Sequence, residues 1–274
     1  MNYRKRFFSL LAFTSVISAL SLFLLIKGNY FVKIYNKIGG GKTERVDLHS
    51  MLLNSSWKVS ALRGNEKLNI LFIGNSITLH PVADYWWGVW GMAATEREKD
   101  YSHIFTHLLA NHGNVVAKSL NFAQWELLWY DRAETYSLLE PFVVKGTYDI
   151  IVVQLGENIS NWDTLEKDYI DFLTYLKEKQ SQSIVMVVGN FWKSDEIEKA
   201  KKKACLQADV TYVSLEFIQG KISYMLGSGK EVSGDDKKLH LSEHSGVNRH
   251  PGNLGMQAMA EEIYREYLNV RRNN

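Results

Sequence analysis

The segment Asn69-Ile70-Leu71-Phe72-Ile73-Gly74-Asn75-Ser76-Ile77-Thr78-Leu79-His80 changes character half-way along its length. Its first part is an unbroken apolar run of strand length, which suits a strand buried on both faces of a parallel sheet. The run stops at Gly74, and Ser76 follows where such a strand turns into a loop or helix. Open α/β sheets hold their ligands beyond the carboxyl ends of the strands, so Ser76 stands where its Oγ is presented above the sheet. Gly74 permits a tight turn that leaves N–H groups facing a bound oxyanion. The same residues also fit an ordinary strand exit with a helix-capping serine, and the rest of the chain has to decide between the two.

Downstream, apolar runs of strand length alternate with segments of helical period, the pattern of a parallel sheet covered on both faces. Five strands are predicted, at Ile70 to Gly74, Val115 to Leu120, Tyr148 to Gln154, Ile184 to Gly189 and Val210 to Leu215. Helices are predicted at Tyr101 to Asn111, Leu165 to Lys179, Asp195 to Gln207 and Leu254 to Tyr267, the third with a lysine-rich solvated face. The expected fold is therefore α/β, a three-layer αβα sandwich around a five-stranded parallel sheet of flavodoxin-like type, occupying residues 68–274.

The composition excludes some classes of function. The 274 residues include 46% hydrophobic and 23% charged residues, an ordinary globular balance. A formal net charge of +2, with no basic stripe interleaved with aromatics, argues against a nucleic-acid partner. The single cysteine, Cys205, has no partner for an internal disulfide and no metal-ligand spacing around it.

Upstream of the sheet, Arg4, Lys5 and Arg6 precede an uncharged apolar run from Phe7 to Ile26. About 20 apolar residues span a bilayer core of roughly 30 Å, and flanking basic residues stay on the cytoplasmic side. A membrane helix within residues 1–27 is expected, with the following domain outside the cytoplasm. A cleavable signal peptide ending near Ile17-Ser18-Ala19 is the competing reading, against which the apolar run continues to Ile26. Residues 28–67 read as a linker. The Gly39-Gly40-Gly41-Lys42-Thr43 within them is not a phosphate loop, because Asn36 stands where its first glycine belongs and no apolar strand leads into it.

Two further segments follow predicted elements in the manner of Ser76. Gly156-Glu157-Asn158 comes directly after the third strand, and His250-Pro251-Gly252-Asn253-Leu254-Gly255-Met256 leads into the last helix. With Gly74-Asn75-Ser76-Ile77-Thr78, their order resembles the SGNH, or GDSL, superfamily of hydrolases over about Asn69 to Tyr267. The resemblance implies an ester hydrolase that needs no metal or other cofactor. It assigns Ser76 as nucleophile, His250 as general base, and Ser76, Gly156 and Asn158 to the oxyanion hole. Taken singly, Asn158 is equally a turn residue and His250 a polar cap before a helix begun by Pro251.

The chain departs from that pattern in three places. Asn121-Phe122-Ala123-Gln124-Trp125-Glu126 offers no clear counterpart to the family's second-block glycine. Asn75 stands where many members have aspartate. Members usually carry an aspartate three residues before the histidine, and here that position is Val247. A backbone carbonyl in the loop Val247 to Arg249 is expected to hold the imidazole instead, with Asp235, Asp236 and Glu243 as alternatives. His240, His244 and His250 with Glu243 match no helical metal-ligand pattern, and no metal is assigned.

Tyr85, Trp86, Trp87, Trp90, Trp125 and Trp129 crowd the region between the nucleophile and the third strand. Asn75, Trp86, Trp90, Trp125 and Glu157 are accordingly expected in the substrate pocket. The resulting expectation is a membrane-anchored extracytoplasmic serine esterase that removes acetyl or other short acyl groups from a glycan or small ester. Alternatives are a lipid esterase or lysophospholipase, a polysaccharide O-acetyltransferase, and a carbohydrate-binding protein with a degenerate site. No oligomeric state is read from the chain.

Overall fold

The apolar run at Asn69 does form the centre of a sheet. The computed structural model describes residues 52–273. The expected membrane helix, the glycine-rich stretch and most of the linker lie outside the described residues. In chain order the elements are β1 (Asn54–Val59), β2 (Glu66–Gly74), α1 (Tyr101–Leu109), β3 (Gly113–Asn121), α2 (Ala123–Leu127), α3 (Tyr136–Val143), β4 (Ile150–Gln154) and α4 (Leu165–Lys179). They continue with β5 (Ile184–Val188), α5 (Asp195–Ala208), β6 (Thr211–Val213), β7 (Lys230–Ser233), β8 (Leu239–Ser242), α6 (Ser245–Asn248) and α7 (Asn253–Asn273). None of the described helices is long and apolar enough to cross a membrane.

The large sheet runs in the order β1-β3-β2-β4-β5-β6, with every pairing parallel except β1 against β3. Alternate residues of each parallel strand enter opposite cores, as a period of two requires. Ile70 and Phe72 of β2 and Ile150 and Val152 of β4 pack with Tyr101, Phe105, Met256 and Ile263 of α1 and α7. Leu71, Ile73, Ile151 and Val153 pack with Leu139, Phe172, Leu176 and Ala204 of α3, α4 and α5. Helices thus cover both faces, and β2 and β4 read as continuous apolar runs because both their faces are buried.

The five-stranded expectation is corrected to six by β1, which lies inside the stretch read as linker over 28–67. Its sequence, Asn54-Ser55-Ser56-Trp57-Lys58-Val59, is polar and only half-buried on alternate residues, so it lacks the apolar run that marks the inner strands. It is an edge strand held by pairing with β3 and by Trp57, whose ring stacks on His103 at 4.0 Å and whose Nε1 donates to Thr106 Oγ1 at 3.0 Å. The hairpin β7–β8 was not expected either; it is a separate two-stranded sheet.

The strand order positions the site. From β2 the chain moves to β3 on one side and then to β4 on the other, so the loops leaving β2 and β4 diverge at a topological switch point. Such points are where doubly wound sheets hold ligands. Ser76 lies on the first of these loops and Asn158 on the second.

Candidate active site

The turn that carries Ser76 follows from its neighbours. At Gly74 a Cβ would fall 1.9 Å from Thr78 Oγ1 and 2.8 Å from the Gln154 carbonyl oxygen, so β2 can leave the sheet this close to β4 only as glycine. Asn75 Oδ1 accepts from Ile77 N–H at 3.0 Å, and the Asn75 carbonyl accepts from the N–H groups of Thr78 and Leu79 at 3.0 Å. Thr78 Oγ1 lies 2.7 Å from the buried Tyr101 hydroxyl, and the Ser76 carbonyl accepts from Met92 N–H at 2.8 Å. The backbone around Ser76 is therefore fixed on all sides.

His250 arrives from 174 residues away and places Nε2 at 2.9 Å from Ser76 Oγ. Its Nδ1 lies 2.8 Å from the Gly246 carbonyl oxygen. A carbonyl only accepts, so Nδ1 carries the proton and Nε2 presents a lone pair to the serine hydroxyl. That is the tautomer a general base requires. Burial pushes the His250 imidazole down to about 4, with His80, His244 and Arg249 adding to the shift and the Gly246 carbonyl opposing it. The ring is neutral at ordinary pH and ready to take a proton. Trp192 closes its flank edge-on, with ring centroids 4.8 Å apart.

The expected carbonyl acceptor is present but lies one residue outside the expected loop Val247 to Arg249. The reason is local: Val247 O accepts from His250 N–H at 3.0 Å, Asn248 O from Gly227 N–H at 2.9 Å and Arg249 O from Trp192 Nε1 at 3.1 Å. The short helix α6 then leaves the carbonyl of Gly246, four residues back, directed at the ring. Two of the alternative carboxylates are engaged elsewhere, Asp235 with Val89 N–H and Arg97, and Asp236 with His240, and Glu243 is exposed. Val247 itself is fully buried in the core. His244 caps α6 by accepting from Val247 N–H and stacks on Tyr85, so the three loop histidines turn to three different partners.

The structure separates the remaining expected residues. Asn158 is half-buried, and its Nδ2 donates one N–H to Glu126 Oε2 at 2.6 Å, which leaves the second N–H of the amide available to another acceptor. Gly156 is not a donor to substrate, because its N–H points to Glu126 Oε1. Its glycine is required for another reason: φ is +128°, and a Cβ would sit 2.5 Å from Asn190 Oδ1 and 2.9 Å from Lys201 Cε. Asn75 is fully buried, with its side chain bonded to Ile77 N–H and to Glu126. Trp86, Trp90 and Trp125, 0%, 2% and 0% exposed, are core residues. Large rings near a strand end served the packing of the sheet rather than a ligand. Glu157 accepts from the N–H groups of Phe191 at 2.6 Å and Trp192 at 3.3 Å, so its carboxyl braces the wall behind His250. Burial raises its pKa, against the pull of the buried Lys201 ammonium.

Residues not anticipated as site components complete the geometry: Gly246, Trp192, His80 and Glu126. Glu126 had a visible signal, a lone acid among Phe122, Ala123, Trp125, Leu127 and Leu128 immediately after a strand. Trp192 and His80 had none beyond their position after predicted strands.

Neither any protein family nor any characterised protein matches the chain in sequence. Among solved structures it is similar to a protein from Bacteroides uniformis solved as a candidate GDSL-like lipase, at 15% identity over 74% of this chain and 96% of that one, TM-score 0.49. It is also similar to a family two carbohydrate esterase from Clostridium thermocellum in complex with cellohexaose, at 17% identity over 77% of this chain and 66% of that one, TM-score 0.45. A family two carbohydrate esterase from Cellvibrio japonicus is similar at 16% identity over 77% and 62%, TM-score 0.46.

Proposed function

We propose that the chain is a serine ester hydrolase of SGNH type that works with a Ser76–His250 pair. The observation that carries this reading is the alignment of Ser76 Oγ, His250 Nε2 and the Gly246 carbonyl, at 2.9 and 2.8 Å. In the first half-reaction Ser76 Oγ attacks the ester carbonyl as its proton passes to His250 Nε2. The carbonyl oxygen becomes an oxyanion that takes hydrogen bonds from Ser76 N–H and Asn158 Nδ2. Collapse breaks the bond to the alcohol oxygen, which leaves with the proton from His250. Water, deprotonated by the same nitrogen, then releases the acid and restores Ser76.

The substrate we favour is a short acyl ester on a glycan. Trp192 against His250, Tyr85 against His244 and Trp87 against His240 supply half-buried aromatic rims of the kind that pack on sugar faces. The basic flank and apolar run at residues 4–26 support a membrane anchor with the domain outside the cytoplasm. Retention in membranes after a high-salt wash is the expected behaviour of the full chain; release by salt refutes the anchor.

Catalysis is tested by hydrolysis of short aryl esters and by fluorophosphonate labelling of Ser76. S76A and H250A are each expected to lower kcat by about 10⁴-fold or more, with the double variant little worse than either. Activity should persist in EDTA. Turnover that survives S76A rules out the mechanism.

A further inference from the structure

Among the described residues no basic side chain is bonded to the buried carboxylate of Glu126, yet it collects four N–H donors. Oε1 accepts from Asn75 Nδ2 at 3.0 Å, from Gly156 N–H and from Asn158 N–H at 3.4 Å, and Oε2 accepts from Asn158 Nδ2 at 2.6 Å. The donors come from the exits of β2 and β4, the two loops that build the site. Glu126 is fully buried on the five-residue helix α2, and the buried Lys201 is hydrogen-bonded to Val188 O and Asn190 Oδ1 instead. A buried carboxylate held only by N–H donors is costly to desolvate, and here all its acceptor capacity is directed at the oxyanion loops.

We propose that Glu126 is a positioning residue that fixes the Asn158 amide as an oxyanion donor, in a chain with no recognisable second-block glycine. This inference rests on the esterase reading above. A carboxylate only accepts, so it admits one orientation of the Asn158 amide, with Nδ2 toward Glu126. The amide is planar, so one N–H on Oε2 sets the direction of the other. Flipping the amide would bring Oδ1 against Oε2 and direct an acceptor at the oxyanion. Glu126 thereby removes the inactive orientation before substrate binds, which is the preorganisation that oxyanion stabilisation depends on.

Glu126→Gln preserves shape but leaves one acceptor oxygen. With three donors on Oε1, the new NH₂ faces Asn158 Nδ2 and lets the amide flip. E126Q should lower kcat by about 10²–10³-fold, the typical loss of one oxyanion donor, and leave KM within about three-fold, because the oxyanion exists only in the transition state. Acting through Asn158, it should add no more than a few-fold to the loss in N158A when the two are combined. A purely structural role would instead multiply the two losses, and that outcome overturns the proposal. So does an E126Q enzyme whose kcat equals or exceeds that of the parent, which would mean that the negative charge beside the oxyanion outweighs the ordering. If E126Q does not fold, E126D replaces it in the same cycle: its shorter arm draws the acceptors back, and its loss should vanish in the N158A background. Fluorophosphonate labelling of the parent at Ser76 is measured first. A parent that is not labelled refutes the esterase reading and this inference together, whereas a labelled parent with an unaffected E126Q refutes this inference alone.

Discussion

Behind His250 the position that would hold a triad aspartate carries Val247, and the imidazole leans on the Gly246 carbonyl instead. A carbonyl sets the tautomer as well as a carboxylate does, but it brings only a dipole to the imidazolium formed during attack. Two measurements follow at this scale. Neutralising the acids of the loop, D235N, D236N and E243Q, should each leave kcat within a few-fold, whereas loss of a true triad acid costs about 10⁴-fold. The acid limb of kcat/KM should fall near pH 4, since burial depresses His250 to about 4 and the base is lost only when it takes a proton. A limb at the ordinary histidine value of 6.5 would show that the ring is far better solvated than its surroundings indicate.

At the level of elements, the site depends on strand exits that a short polar edge strand helps to hold. β1 pairs along its full length with β3, the strand whose exit leads through Phe122 into α2 and Glu126. Trp57 ties this edge to α1 through its stack on His103 and its bond to Thr106. Fully buried Trp→Ala changes cost about 3–5 kcal/mol, and half-burial brings W57A to about 2 kcal/mol, a fall in Tm of about 4–8 °C for a chain of this size. Specific activity of the folded fraction should be unchanged, because Trp57 touches α1 and Phe72 rather than the Ser76 turn. A thermal melt paired with an assay below the transition checks both parts; lost activity without lost stability would place β1 in the site itself.

For the whole molecule, the same buried groups give stability a pH dependence of known sign. His80 and His250 are both depressed to about 4 by burial, so the unfolded chain takes protons near 6.5 that the folded chain refuses. Their contribution is complete above about pH 6.5 and fades as pH falls from there toward 4. Glu157 acts in the opposite sense: burial raises it from 4.5 to about 8, so its contribution belongs to the protonated form and fades as pH rises through that interval. Urea midpoints measured from pH 7 down to 4 should decline toward the acid end. H80N should flatten that decline; a decline unchanged in H80N would contradict the assignment.

The amino-acid sequence carried the parallel core, because strands buried on both faces must be apolar throughout and helices on such a sheet must be amphipathic. It also marked Ser76 and Asn158 as polar residues where apolar runs stop, whereas His250 was singled out only by the resemblance of the three segments to the SGNH superfamily. It did not show β1, whose half-exposed face removes the apolar signal, nor the burial of Trp86, Trp90 and Trp125, since a ring's composition is the same in a core and in a pocket. Packing in three dimensions settled which carbonyl holds His250, because three nearer ones are taken by partners up to 57 residues away. It alone showed Glu126 meeting Asn75, Gly156 and Asn158, a convergence that depends on strand order β3-β2-β4 and leaves no trace in local sequence spacing.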